Sequence, residues 1–96
     1  MKVLAIGSLV KPLSDERREV VLGKEVPHTL QLYLKGAIEQ FWFRQDKPGP
    51  VFLMDVETIE EAKAIIDAMP LMIEGVAAYE YMQLGPLKPL GQLIKA

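Results

Sequence analysis

The 96-residue chain contains no cysteine, which excludes a disulfide framework and any thiolate metal site. It has one histidine, His28, and no HExxH spacing, so no metal site and no cofactor is expected. No stretch approaches the ~20 apolar residues of a membrane span, and no membrane partner is expected. An excess of one charge is also missing. Eleven basic residues stand against 13 acidic ones, giving a net charge of −2. A basic face for nucleic acid is therefore not expected. The apolar run from Val3 to Val10 contains Gly7 and Ser8 and ends in Lys11-Pro12 without a small-residue cleavage site, so it does not read as a signal peptide. The cytoplasm is the default location. No repeat or low-complexity tract is visible.

What remains is an ordinary globular composition, half hydrophobic and a quarter charged, for one domain spanning 1–96. Its most informative stretch runs from Ile38 to Val56. Two apolar segments rich in aromatic and β-branched residues flank Lys47-Pro48-Gly49-Pro50, which predicts a β-hairpin. Alternation places Phe41 and Phe43 on one face of the first strand. Trp42, Arg44 and Asp46 fall on the other, with Ile38 and Gln40 behind them. Arg44 can stack on Trp42, pair with Asp46 at the strand edge, or wait in a pocket for a carboxylate.

Val3 to Ser8 reads as a strand covered on both faces. From Pro12 to Leu22 a short solvated helix or turn is expected, capped by Ser14. Glu25 to Lys35 reads as a second helix, with Pro27 and His28 in its first turn and Gly36 as its left-handed stop. Thr58 and Glu61 form a capping box for a further helix with an apolar stripe of Ile59, Ala62, Ile65, Ile66 and Met69, ended by Pro70. Leu71 to Gly75 connects to a strand over Val76–Gln83. There Glu80 shares a face with Ala78 and Met82, while Tyr79 and Tyr81 lie on the other. The residues from 84 to 96 form an apolar tail expected to dock, on a neighbouring subunit if not on its own.

Counting Glu25–Lys35 as the principal first helix, the order is strand, helix, strand, strand, helix, strand. That is the ferredoxin-like βαββαβ arrangement, an α+β fold with an antiparallel sheet and both helices on one side. All four strands are apolar on both alternations, and two helices cover only one face. The uncovered face calls for a second copy, so a homodimer forming a dimeric α+β barrel, or a higher homo-oligomer, is expected.

Trp42, then Asp55-Val56, then a helix ending in Met69-Pro70-Leu71, resembles the muconolactone isomerase family and its YciI-like relatives. The resemblance covers about Glu25 to Leu84. The chain departs from the family pattern in carrying Phe43 directly after the Trp, with Arg44 next, and Lys47 near the place of a hairpin histidine. The resemblance implies a ferredoxin-like dimeric barrel and an isomerase or lyase that moves a proton on a carboxylated lactone or related acid. Arg44 would then supply positive charge. Asp46, Glu80 or His28 would move the proton, and Trp42, Tyr79 and Tyr81 would exclude water. Two other readings stand beside it: a non-catalytic barrel binding a small carboxylated or aromatic ligand, and a structural oligomer with Trp42 and Arg44 at its interface.

Overall fold

Ser14 starts the first helix by accepting a hydrogen bond from the Arg17 amide at 3.2 Å. Asp15 and Glu16 then sit in the first turn, where the helix dipole favours negative charge. The structure, a computed structural model, describes residues 1–87. Along them run β1 (Lys2–Leu9), α1 (Asp15–Leu34), β2 (Ile38–Phe43), β3 (Pro50–Asp55), α2 (Ile59–Asp67), α3 (Pro70–Ile73) and β4 (Ala77–Leu84). Of the expected docking tail, residues 88–96 lie outside the described residues.

The four strands form one antiparallel sheet in the order β2-β3-β1-β4, the ferredoxin-like topology. The helix-facing side carries the core. Val3 and Ala5 of β1, Phe52 and Met54 of β3 and Ile38 of β2 pack with Ala62, Ile66 and Met69. All of these but Phe52 have no accessible surface, and the five larger ones, Val3, Ile38, Met54, Ile66 and Met69, each contribute roughly 1.5–3 kcal/mol by leaving water. The capping box also forms: the Glu61 amide donates to Thr58 Oγ1 at 3.1 Å, and the Glu57 amide donates to the Glu61 carboxylate at 2.8 Å.

Three local expectations are corrected. The two helices expected before β2 are one 20-residue helix with Pro27 inside it. Gly23 and Pro27 read as punctuation, because proline removes a helical donor and glycine weakens a helix. Both positions face solvent, so the carbonyl that Pro27 leaves unbonded can meet water. Packing of Val21 and Leu32 on either side carries the helix through. Second, Ile38 does not share a face with Trp42. The register shifts between Ile38 and Gln40, and this bulge turns Ile38 into the core opposite Met54. Phe41 and Phe43 stay on the helix side and Trp42 on the open side, as alternation predicts. Third, Pro70 does more than end α2: it occupies the first position of α3, where its missing donor costs nothing.

The other side of the sheet is apolar without cover. Leu4 and Ile6 of β1 and Val51 and Leu53 of β3 are half-buried at its centre. Trp42 and Met82 are 49% and 52% exposed at its flanks. Among the described residues no helix is long and apolar enough to cross a membrane.

Candidate functional site

With α1 continuous, Val21, Glu25, His28 and Leu32 fall at intervals of four, three and four, one buried stripe of a helix. Val21 anchors the stripe on Leu71 and Val76, and Leu32 anchors it on the main core. Glu25 lies between them, only 7% exposed, with a carboxyl that belongs in water. Neither of its carboxyl oxygens has a hydrogen-bond partner among the described residues. Burial pushes this carboxyl above its ordinary value of 4.5, and the nearby Leu71 backbone opposes the shift only in part.

Glu25 borders a cavity of about 350 Å³ between α1 and the edge of the sheet. Leu22, Val26 and Leu30, four residues apart, form its helical wall. Phe41 and Phe43 of β2 and Phe52 of β3 form the wall opposite, and Trp42 borders it from the strand edge. The gap exists because α1 packs on α3 at one end and β2 at the other. The Tyr33 and Phe41 rings meet edge to face at 5.6 Å, which ties α1 to β2 beside it.

Tyr79 stands behind this wall, stacked on Phe52 with ring centroids 6.1 Å apart. Its hydroxyl is buried and has no partner among the described residues. Burial first, and then the charge of Glu25, hold the phenol above its ordinary 10.0. A buried unpaired hydroxyl costs about 1–3 kcal/mol. Tyr79→Phe is therefore expected to raise unfolding free energy by about 1 kcal/mol, read as a higher urea midpoint. An unchanged or lower midpoint would mean the hydroxyl has found a partner.

The residues singled out in the sequence divide between two faces. His28, Tyr79 and Tyr81 lie on the helix side, as Glu25 does. His28 is half-buried on α1 and does not line the cavity. Tyr81 packs against the core, with Lys63 Nζ 5.8 Å from its ring centroid, and it too stays out of the cavity. Arg44 and Glu80 belong to the open side with Trp42. Arg44 is engaged by Asp46 through two bonds, Nε to Oδ1 at 2.9 Å and Nη2 to Oδ2 at 2.7 Å. Its Nη1 donates to the Gly7 carbonyl at 3.2 Å and to Ser8 Oγ at 3.0 Å. Asp46, then at a distance Glu80, favours its charged form. Of the alternatives for Arg44, edge pairing with Asp46 is the one the geometry contains: a strap from the hairpin loop to β1.

The Arg44 bonds hold the Asp46 carboxyl down to about 2 from an ordinary 3.8. The stability from this pair is therefore full above about pH 4 and is lost as pH falls toward 2. Asp46→Asn is expected to lower the neutral-pH midpoint by a small amount, because Asp46 is exposed, and by the same amount to flatten acid destabilisation across that window. An unaltered acid limb would show that the pair contributes nothing in solution.

Glu25 is the site residue that the sequence alone does not bring forward. Its signal is the i, i+4 relation to Val21, which disappears when Gly23 is read as a break. Among the described residues no group of three or more His, Asp or Glu is arranged to hold a metal ion.

No protein-family model and no curated protein matches the sequence. Solved structures do match the fold. Muconolactone isomerase, from a crystal structure at 3.3 Å, superposes with a TM-score of 0.77 at 15% identity, over 90% of this chain and 90% of that one. The 5-chloro-2-hydroxyhydroquinone dehydrochlorinase TftG from Burkholderia phenoliruptrix AC1100, in complex with 2,5-dihydroxybenzoquinone, superposes with a TM-score of 0.71 at 17% identity, over 93% of this chain and 98% of that one. At these identities the likeness is one of architecture, and the chain has the muconolactone isomerase-like α+β fold.

Proposed function

We propose that the protein is a small-molecule isomerase or lyase that moves a proton in the α1–sheet cavity, with Glu25 as its acid and base. The observation that carries this reading is a buried, unpartnered carboxyl at the wall of a cavity large enough for a small ring compound. A carboxyl raised toward the working pH is a stronger base when ionised and stays a usable acid afterwards. The ionised Glu25 takes a proton from a carbon beside a carbonyl, and the C–H electron pair becomes an enolate. Where the substrate carries a β,γ double bond this is a dienolate, and the Glu25 acid returns the proton to the γ-carbon as the double bond moves into conjugation with the carbonyl, completing an isomerisation. Where the β-carbon bears a leaving group, the enolate expels it instead, and Glu25 sheds its proton to water. The two structural neighbours are by name an isomerase and a dehydrochlorinase, and both kinds of reaction can begin with such a proton removal. Arg44, Asp46 and Glu80 are then structural on the far face, and His28, on α1 outside the cavity lining, does not touch substrate.

The test is deuterium exchange from D2O into small cyclic lactones and ketones, followed by proton NMR. Exchange beside the carbonyl above the buffer rate, absent in Glu25→Gln, is the expected result. Compounds that bind at the cavity without exchanging would make the protein a binding module.

The active form is a homodimer joined through the open face, where Leu4, Ile6, Val51 and Leu53 otherwise meet water. Sedimentation should give twice the 10.8 kDa chain mass. Leu53→Arg, which places a charge at the centre of that face, should give a monomer. Native protein sedimenting as a monomer at micromolar concentration would sink the barrel.

A further inference from the structure

We infer that the cavity selects an uncharged, flat ring compound bearing a single carbonyl or hydroxyl, and discriminates against carboxylates; this rests on the cavity being the reaction site. The family resemblance implies a carboxylated substrate held by Arg44. The chemistry of the wall points elsewhere. Among the described residues, no lysine, arginine or histidine lines the cavity, and its one ionisable group is Glu25. Arg44 lies on the opposite face and is engaged by Asp46, Gly7 and Ser8. A carboxylate entering the cavity would leave water without gaining a cation, beside a group that is itself acidic. A neutral ring would lose little hydration and would meet the faces and edges of Phe41, Phe43 and Phe52. The volume of about 350 Å³ sits at the small end of the range for ligand pockets, which suits one ring with a short substituent. The Thr29 hydroxyl is already donating to the Glu25 carbonyl at 2.9 Å. The Glu25 carboxyl is the ionisable group placed to meet the ligand's oxygen, donating to a carbonyl when protonated and accepting from a hydroxyl when ionised.

Acetophenone and 4-acetylbenzoate make a matched pair: the same ring and the same exchangeable methyl, one neutral and one anionic. The full-length protein is titrated with each at pH 7, reading amide shifts at Val26, Phe41 and Phe52. Acetophenone should shift these residues with an affinity roughly 30-fold or more above that of 4-acetylbenzoate, the scale set by an unpaired desolvated charge. Val26→Arg, which adds a cation to the helical wall at a half-exposed position, should narrow or reverse that preference. Equal or tighter binding of 4-acetylbenzoate at the same residues, or no change in preference in Val26→Arg, would overturn the inference. Deuterium exchange on the same pair separates it from the proposed reaction. Selective binding of acetophenone with no exchange would remove the enzyme and leave the selectivity. Glu25-dependent exchange that is equally fast on both compounds would do the opposite.

Discussion

Glu25→Gln is expected to lower cavity-dependent deuterium exchange by about 10²–10⁴-fold, the usual contribution of a positioned acid–base group, while making the fold more stable at neutral pH. The two effects have one cause. The amide keeps the shape of the carboxyl but can neither accept nor release a proton. It also removes the need to keep a charge out of water at a site only 7% exposed. The pH dependence gives an independent check. Because burial raises the folded carboxyl above its ordinary 4.5, the unfolded chain ionises first as pH rises. Stability is then full below 4.5, falls as pH climbs through the folded value, and stays lowered beyond it. In Glu25→Gln that part of the slope should vanish. In the native protein the exchange rate should rise over the same interval, since the base must be ionised to act. A variant that loses stability at pH 7 would show that the carboxyl is a satisfied structural group. A variant that keeps its exchange rate would remove Glu25 from the chemistry.

Gly49→Ala should be the most damaging of the small substitutions, costing about 3 kcal/mol or more, at or beyond the upper part of the range for overpacking. A Cβ at position 49 would lie 2.1 Å from the Gly7 carbonyl oxygen and 2.7 Å from its carbon. Both are backbone atoms of a central strand and cannot swing aside. Relief requires the hairpin loop to lift from β1, which strains the Leu9 amide bond to the Pro48 carbonyl, 3.1 Å long, and the Arg44 bonds to Gly7 and Ser8. Gly23→Ala is the control. That glycine lies inside α1, and a methyl group added there would meet nothing within 4 Å, so alanine should stabilise by about 0.5–1 kcal/mol through helix propensity. Urea titration of both variants reads the contrast. A Gly49→Ala midpoint within error of the native one would show that the loop does not sit against β1.

Much of this protein is local. The Thr58–Glu61 box, the Pro48-Gly49 turn, the apolar stripe of α2 and the alternation along β1 and β4 each depend on residues a few positions apart, and so the strands, the order of elements and the pairing of Tyr79 with Tyr81 on one face are readable in the chain itself. The double-sided greasiness of the strands also states, without coordinates, that one face needs a cover. The site is not local. Glu25 becomes a buried carboxyl only because Val21 meets Leu71 at one end of α1 and Leu32 meets the core at the other, contacts between elements tens of residues apart. The same packing overrules the helix-breaking character of Gly23 and Pro27, and the bulge beside Ile38 is set by what that side chain gains in the core opposite Met54. Secondary structure follows from short-range preference, whereas which polar group loses its water depends on how distant pieces close over it.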